Sequence, residues 1–368
     1  MSTKKDKFSN KDKKYMNLAL NLARTRKGLT GANPSVGCVI IKKDKIISIG
    51  QTGYNGRPHA EANAIKNSFN DLNGSKMYVT LEPCNHYGKT PPCTKNIIKT
   101  GISEVFYPID DIDRKVKGKS FNILSKNNII VKRGLLRNEA KNFYNSYFVN
   151  RKYKIPYVIG KIAISKNKLI YSKKVKRITD NISNKLTHYL RYKNDAIMIS
   201  VNTLNIDNPR LDCRIKGFEK FSPSRVILDK NLEINLKSYV FKSVKKNNTF
   251  IFFNSSNKKK IDILKKKGII LIKSPLDKKK QFILTKILKK LYTLGIRNLL
   301  VEGGDKITKS FLKNRLFDEF YLFKSQKSLS KNDEYVLFTS MNLLNKKYNI
   351  NQKKSSKLAK DKIIIYEK

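Results

Sequence analysis

His59-Ala60-Glu61, Pro83-Cys84 and Cys93 are the residues of this chain whose types and spacing carry chemistry. Zinc favours nitrogen and sulfur donors in a tetrahedral shell, and one imidazole with two thiolates supplies three of them. Three protein ligands leave one position open for water, whose pKa then falls to about 7, so a nucleophile is available at neutral pH. Glu61 stands two residues from His59 at the start of an expected helix. A carboxylate there is placed to take a proton from that water and pass it to a leaving amine. The helix expected after Cys93 turns its positive N-terminal end toward the cysteines, which favours thiolate over thiol.

The rival reading is a structural zinc, which needs a fourth protein ligand, and His86 is the residue available for it. Glu61 beside His59 argues for catalysis, because a closed site has no use for a proton carrier. A non-ligating glutamate with this role is the mark of zinc base deaminases. Cys38, inside an apolar stretch, and Cys213, outside the motif, read as small buried hydrophobes.

Elements that position these groups follow from hydrophobic periodicity. Residues 15–27 read as a helix ended by Gly28, and residues 1–14 as a disordered basic tail. Val36 to Ile41 and Ile46 to Ile49 flank Lys42-Lys43-Asp44-Lys45 as a hairpin. Helices are expected from Ala60 to Ser68, after Cys93, and from Glu139 to Tyr147; strands at 77–81, 105–108 and 129–131. The boundary falls near Asn150, giving domains over 15–150 and 151–368. Beyond it, strands are expected at 157–164, 196–199, 225–228, 250–253, 269–272 and 299–301, with helices over 180–192 and 282–294. Strands and helices alternate in both halves, so both read as α/β. Lysine clusters such as Lys258 to Lys260 read as solvated turns.

Composition sets the remaining bounds. A length of 368 residues suits two domains. The formal charge of +51 raises the question of nucleic acid, but the lysines are spread along the chain rather than gathered in a patch. With abundant Asn and Ile and no Trp, the pattern reads as a coding bias, and nucleic acid as a partner is not expected. The positive field still favours collection of an anionic, phosphorylated substrate. No apolar run is long enough for a transmembrane helix, and the polar start lacks the apolar segment of a signal peptide. Four cysteines make a disulfide scaffold unexpected and a reducing cytoplasm the expected location.

The stretch Thr80-Leu81-Glu82-Pro83-Cys84-Asn85-His86-Tyr87-Gly88-Lys89-Thr90-Pro91-Pro92-Cys93 resembles the signature of the bifunctional riboflavin-biosynthesis deaminase/reductase family, RibD. Eight residues separate the two cysteines, where nucleic-acid base deaminases typically have two. Asn33-Pro34-Ser35-Val36-Gly37 also matches, and Asp110 to Gly118 follows a further family stretch loosely. The resemblance implies a cytidine-deaminase-like α/β/α domain followed by a dihydrofolate-reductase-like α/β domain. It implies hydrolytic deamination of a diaminohydroxyphosphoribosylaminopyrimidine with zinc, then NADPH-dependent reduction of the ribosyl group to a ribityl chain. It places Asn33, His86 and Lys89 in the deaminase pocket. Family members commonly self-associate, so a homo-oligomer is an expectation as well.

In the second half, Lys161 and Ser165 fall in the expected first strand, and Thr203, Asp207, Pro209, Leu211 and Arg214 keep the family's spacing. Glu302-Gly303-Gly304 ends a strand and opens a helix, a context in which backbone amides approach a phosphate. By the resemblance, Ala163, Arg177, Thr203, Asp207, Gly304, Asp305, Lys306, Ile307, Thr308, Lys309 and Ser310 contact NADPH. Lys161, Arg191, Leu211, Arg214 and Glu302 contact the pyrimidine or its phosphate. Departures cluster in this half. The family's Ser-x-Asp-Gly is Ser165-Lys166-Asn167-Lys168 here, Arg177 replaces a common Trp, and Val175 and Lys230 replace serines. Two alternatives therefore stand beside the bifunctional reading: a deaminase with a non-reducing C-terminal domain, and a nucleic-acid base deaminase.

Overall fold

A computed structural model describes residues 8–88, 90–173, 175, 177–332, 334–352 and 354–368. The chain divides between Lys154 and Ile155. The boundary expected near Asn150 falls inside a helix that runs to Tyr153 and ends where Lys154 turns left-handed at φ 56°.

In the first unit, helix α1 spans Asn10–Arg26. Residues 10–14, read from sequence as tail, are therefore helical. Ser9 and Asp12 form a reciprocal capping box that satisfies the first amides, so the helix starts five residues before its apolar periodicity does. Strands β1 (Gly37–Lys42) and β2 (Lys45–Gln51) make the expected hairpin. Lys43 and Asp44 both take positive φ, as the tight turn matching strand twist requires. Helix α2 (Ala60–Lys66), strand β3 (Lys76–Val79), helix α3 (Cys93–Lys99), strand β4 (Glu104–Tyr107), helix α4 (Lys119–Lys126), strand β5 (Ile130–Arg133) and helix α5 (Arg137–Tyr153) follow. The sheet order is β2-β1-β3-β4-β5, antiparallel on either side of β1 and parallel from β3 to β5.

Two glycines define the layers. A Cβ on Gly37 would lie 1.9 Å from the Ala19 carbonyl oxygen of α1, and one on Gly50 would lie 2.2 Å from the Ala60 carbonyl oxygen of α2. Gly50 pairs with Cys38, the neighbour of Gly37, and side chains alternate along a strand. The two glycines therefore face opposite sides of the sheet, and α1 and α2 cover opposite faces. This is an α/β/α sandwich in which helix backbone rests directly on strand backbone.

The second unit runs β6 (Tyr157–Ile164), β7 (Leu169–Ser172), α6 (Asn181–Tyr192), β8 (Ala196–Ser200), α7 (Val201–Asp207), β9 (Ser224–Leu228), α8 (Tyr239–Lys242), β10 (Thr249–Phe253), α9 (Lys258–Lys266) and β11 (Ile270–Lys273). It continues with α10 (Leu284–Thr293), β12 (Asn298–Glu302), α11 (Asp305–Lys313), β13 (Glu319–Lys324), β14 (Tyr335–Leu337), α12 (Met341–Lys347), β15 (Asn349–Ile350), β16 (Ser356–Leu358) and β17 (Asp361–Glu367). The main sheet has the order β11-β10-β9-β8-β12-β6-β13-β17-β15, parallel from β11 to β13 and antiparallel at β17; β16 adds to β17, and β7 pairs with β14. The first strand of the unit thus lies in the middle of the sheet. Val158 and Ile162 of β6 enter one core, while Ile159 and Ala163 pack on the other, as a strand covered on both faces demands.

The lysines read as a solvated turn at Lys258 to Lys260 form the first turn of α9 instead. Asn257 caps that helix, and Leu264 is buried beneath it. At the altered Ser165-Lys166-Asn167-Lys168 turn, Asn167 Oδ1 accepts from Ser165 Oγ at 2.7 Å and from the Leu329 amide at 3.1 Å. Its Nδ2 donates to the Leu329 carbonyl at 2.7 Å. Lys168 adopts φ 64°, the conformation glycine would take without strain.

The seat of α2 on Gly50 generates a prediction. Gly50→Ala forces backbone away from backbone and is expected to destabilise the first unit by about 3 kcal/mol. It is also expected to weaken zinc retention, because α2 carries His59 and Glu61. Urea denaturation and metal analysis of the same samples check both.

Candidate active site

His59 is the N-cap of α2, at φ −70° and ψ 158°, so its ring projects from the helix end while Glu61 lies buried in the first turn. Cys84 follows β3 in the Leu81–Asn85 segment, and Cys93 opens α3 behind Pro92. The donor atoms of His59, Cys84 and Cys93 lie within 4.8 Å of one another. His59 Nδ1 is the nitrogen turned to both sulfurs, 3.5 Å from Cys84 Sγ and 3.4 Å from Cys93 Sγ. The Cys93 amide donates to Cys84 Sγ at 3.3 Å, as expected at a helix start.

The electrostatics match the donor set. Hydrogen bonding from Cys93, then from His59, draws the Cys84 thiol down to about 4 against its burial. Hydrogen bonding to Cys84 raises His59. Burial pushes the Glu61 carboxyl up to about 7, while His59 and the Cys93 thiol pull it back. One imidazole and two sulfurs, one already held as thiolate, fit zinc with an open position. His86 is not part of the cluster among the described residues. Cys38 and Cys213 are buried outside it.

The pocket residues expected by resemblance are Asn33, His86 and Lys89. Asn33 Nδ2 donates to the Gly56 carbonyl at 2.9 Å, which fixes it against the loop leading to His59. His86 is half-buried, and its Nδ1 has no hydrogen-bond partner among the described residues. Lys89 lies outside the described residues. Arg57 donates to Thr90 Oγ1 and so ties the His59 loop to the segment between the cysteines. Sequence reasoning missed Glu82. Its buried carboxylate accepts from the amides of Asp111 at 3.0 Å, Gly118 at 2.9 Å and Ser120 at 3.1 Å. Ser120 Oγ donates in turn to the Pro83 carbonyl at 2.5 Å. The signal was present: an acidic residue directly before Pro83-Cys84, and the family-like stretch Asp110 to Gly118 that it binds.

In the second unit, Glu302, Lys161, Tyr321 and Ile365 are in register across β12, β6, β13 and β17, so their side chains share one face. Over that face Arg191 of α6 grips Glu302 with two bonds, Nε to Oε1 at 2.9 Å and Nη2 to Oε2 at 2.8 Å. Its Nη1 donates to the Asp212 carbonyl at 3.2 Å. Burial lowers Lys161, and Glu302 partly restores it. Gly304 faces Thr203, whose Oγ1 would be 3.8 Å from a Cβ there. The structure thus brings together the end of β12, the start of α11 and the start of α7.

The remaining expected residues are bonded within the chain, buried or at the surface. The Asp305 carboxylate is occupied by the amides of Thr339 and Ser340 and by both hydroxyls. Ile307 and Thr308 are buried, Lys306 and Lys309 are exposed, and Ser310 Oγ bonds the Lys306 carbonyl at 3.1 Å. Among residues 304–310, the first-turn amides and the exposed Lys306 and Lys309 side chains are therefore available to a ligand. Leu211 is buried at φ 56°. Asp207 is exposed at the end of α7, Ala163 is half-buried on β6, and exposed Arg177 donates to Asn181 Oδ1 at 3.2 Å.

Sequence reasoning also missed His188. It is buried beside Arg214, which donates from Nε to His188 Nε2 at 3.3 Å. A cavity of about 930 Å³ opens here, lined by His188, Arg214, Lys185, Lys216 and Tyr321 among others. Burial first, then Arg191 and Arg214, lower His188 to about 4, so the ring is neutral at physiological pH.

The fold and donor set together define a zinc-type deaminase unit followed by a separate parallel α/β unit with a charged cleft. Residues 9–109 match the model of the cytidine and deoxycytidylate deaminase zinc-binding region, and residues 156–364 match that of the RibD C-terminal domain. The riboflavin biosynthesis protein RibD of Aquifex aeolicus is 35% identical over 97% of this chain and 98% of its own. That of Bacillus amyloliquefaciens is 34% identical over 84% and 83%. A solved deaminase/reductase structure from Thermotoga maritima superposes with a TM-score of 0.84 at 29% identity, covering 97% of this chain and 98% of the other. The chain belongs to the RibD family, the bifunctional deaminase/reductases of riboflavin biosynthesis, and carries both domains, with zinc and NADPH as cofactors. No helix among the described residues is long and apolar enough to cross a membrane.

The depressed His188 value makes a stability prediction with a definite sign. Between pH 6.5 and about 4 the unfolded chain binds a proton that the folded ring refuses. The contribution of the neutral ring is complete above pH 6.5 and is lost as pH falls toward 4. Roughly 2 kcal/mol should separate the pH dependence of the wild type from that of His188→Gln over this window. Urea unfolding at pH 7 and pH 4.5 measures it.

Proposed function

We propose that the first unit hydrolyses the exocyclic amine of diaminohydroxyphosphoribosylaminopyrimidine, and that the second reduces the ribosyl group of the deaminated product to a ribityl chain with NADPH. The observation that carries the deaminase reading is the convergence of His59 Nδ1, Cys84 Sγ and Cys93 Sγ beside buried Glu61. These three would hold zinc, which supplies the Lewis acidity that makes a water nucleophilic at neutral pH. Glu61 takes the proton of the attacking water on its carboxylate and delivers it to the departing amine, so that ammonia leaves. A carboxyl near pH 7 is matched to carrying a proton in both directions. Asn33 and His86, on loops flanking His59 and Cys84, and Lys89 hold the pyrimidine nucleotide.

In the second unit Arg191 holds Glu302 in one orientation beside Lys161, giving the polar ring of the substrate a fixed set of charges. NADPH supplies the hydride. The first-turn amides of α11, opened by Gly303-Gly304 next to Thr203, receive its phosphates. Arg191 is 11% exposed and has three of its donors taken by Glu302 and the Asp212 carbonyl. Arg214, whose side chain is 43% exposed at the cavity, takes the phosphate of the substrate. The turn at Asn167 and Lys168 is hydrogen-bonded to Ser165 and Leu329 despite the altered residues, which supports a working reductase. The reading extends to a cytoplasmic enzyme that self-associates.

The test is one reaction containing the zinc-loaded chain, the diamino pyrimidine nucleotide and NADPH, with ammonia and NADPH followed together. Substrate-dependent NADPH oxidation after ammonia release is the expected result. Ammonia alone would leave the second unit without reductase activity, and neither signal would refute the reading. Glu61→Gln should lower ammonia release by about 10³-fold while one zinc per chain is retained.

A further inference from the structure

We infer that His188 is a positioning residue of the reductase, aiming the Arg214 guanidinium at the phosphate of the substrate. This rests on the reading of the second unit given above. His188 and Arg191 lie three residues apart on α6 and emerge on one helix face. Three of the five N–H groups of Arg191 are taken by Glu302 and the Asp212 carbonyl, and its side chain is only 11% exposed.

Arg214 is held differently. Its Nε and Nη2 reach His188 Nε2 at 3.3 and 3.2 Å, and the Asp212 carboxylate approaches Nε only to 3.7 Å. A guanidinium has donors alone, so Nε2 must accept and the ring proton must sit on Nδ1. Nδ1 lies 3.2 Å from the Asp212 carbonyl, which accepts that proton, and the Arg214 backbone amide packs 3.3 Å from the same nitrogen, so the ring touches Arg214 at both nitrogens. The ring therefore works as a neutral bridge with one acceptor and one donor. Arg191 donates to the same Asp212 carbonyl, so the segment bearing Arg214 is tied to the Arg191–Glu302 pair through a single oxygen. The Nη1 edge of Arg214 remains without a partner among the described residues, on a cavity wall that also carries Lys185 and Lys216. An arginine fixed before the ligand arrives loses less freedom on binding than a mobile one.

The experiment uses the zinc-loaded full chain, NADPH, the deaminated phosphoribosylamino-uracil and its dephosphorylated counterpart. Gln sets an amide oxygen where Nε2 stands and keeps the acceptor for Arg214. Asn is too short to do so and keeps only the donor to Asp212. His188→Asn should raise KM for the phosphorylated compound about tenfold, with kcat within about twofold and no change for the dephosphorylated one. His188→Gln should stay within about twofold of wild type on both, and His188→Asn should add nothing in an Arg214→Ala background. A merely structural role would lower kcat and thermal stability for both compounds alike and would overturn the inference. Arg214→Ala raising KM while His188→Asn does not would also overturn it, leaving Arg214 as the phosphate ligand. Arg214→Ala without effect would refute the placement of the phosphate itself. Absence of NADPH oxidation by the wild type would refute the reductase reading and this inference with it.

Discussion

A carboxylate removed from water must be given donors or it will not stay ionised, and this constraint organises both halves of the chain. Only 28 acidic residues stand against 79 basic ones, and many of the acids are spent inside. Glu82 collects three backbone amides. Asp229 collects those of Glu233 and Ile234, Asp195 those of Arg297 and Asn298, and Asp305 those of Thr339 and Ser340. Glu302 is matched by a guanidinium. Asp195, buried with two amides, is pushed up to about 6. Glu61 belongs to the same population, but beside its own backbone amide its neighbours are an imidazole and thiols, and burial pushes it up to about 7. The difference between a structural acid and a reactive one is the donor set.

Much of the first unit was legible in the sequence because its signals are local. The hairpin announces itself by two apolar runs around a polar turn, and His59, Glu61, Cys84 and Cys93 by residue type and spacing. The start of α1 was misplaced because the capping box at Ser9 and Asp12 lies in a lysine-rich stretch without hydrophobic periodicity. The role of Glu82 was signalled only by its place before Pro83-Cys84 and by the stretch Asp110 to Gly118, because its partners are backbone amides, which no residue type reports.

The second unit was harder. Strand β6 was readable over its whole length, since a strand covered on both faces is a nearly continuous apolar run, broken here only by Gly160 and Lys161. Helix α9 was not, because lysines fill its exposed side and one buried leucine anchors it. Strands β13 and β17 went unread although Phe320 to Phe323 and Ile363 to Tyr366 are apolar runs, and β14 to β16, of two or three residues, are too short to show a period. The altered turn shows how residue identity can mislead. Asn167 supplies the acceptor and adds a donor, and Lys168 tolerates a left-handed backbone. His188 passed unnoticed because a lone histidine on a helix is usually part of the core, and only the side chains around it show its work.

The order of strands carries a consequence for folding. Helix α1, the β1–β2 hairpin and α2 are neighbours along the chain, so the wall holding His59 is built from short-range contacts. The cysteines arrive only when β3 inserts beside β1 from the far end of α2, a closure over a longer loop. The metal cluster is thus a record of completed long-range assembly. A chain in which α2 is formed but β3 is still adrift has one donor of three, and metal capture is deferred until the tertiary structure is in place.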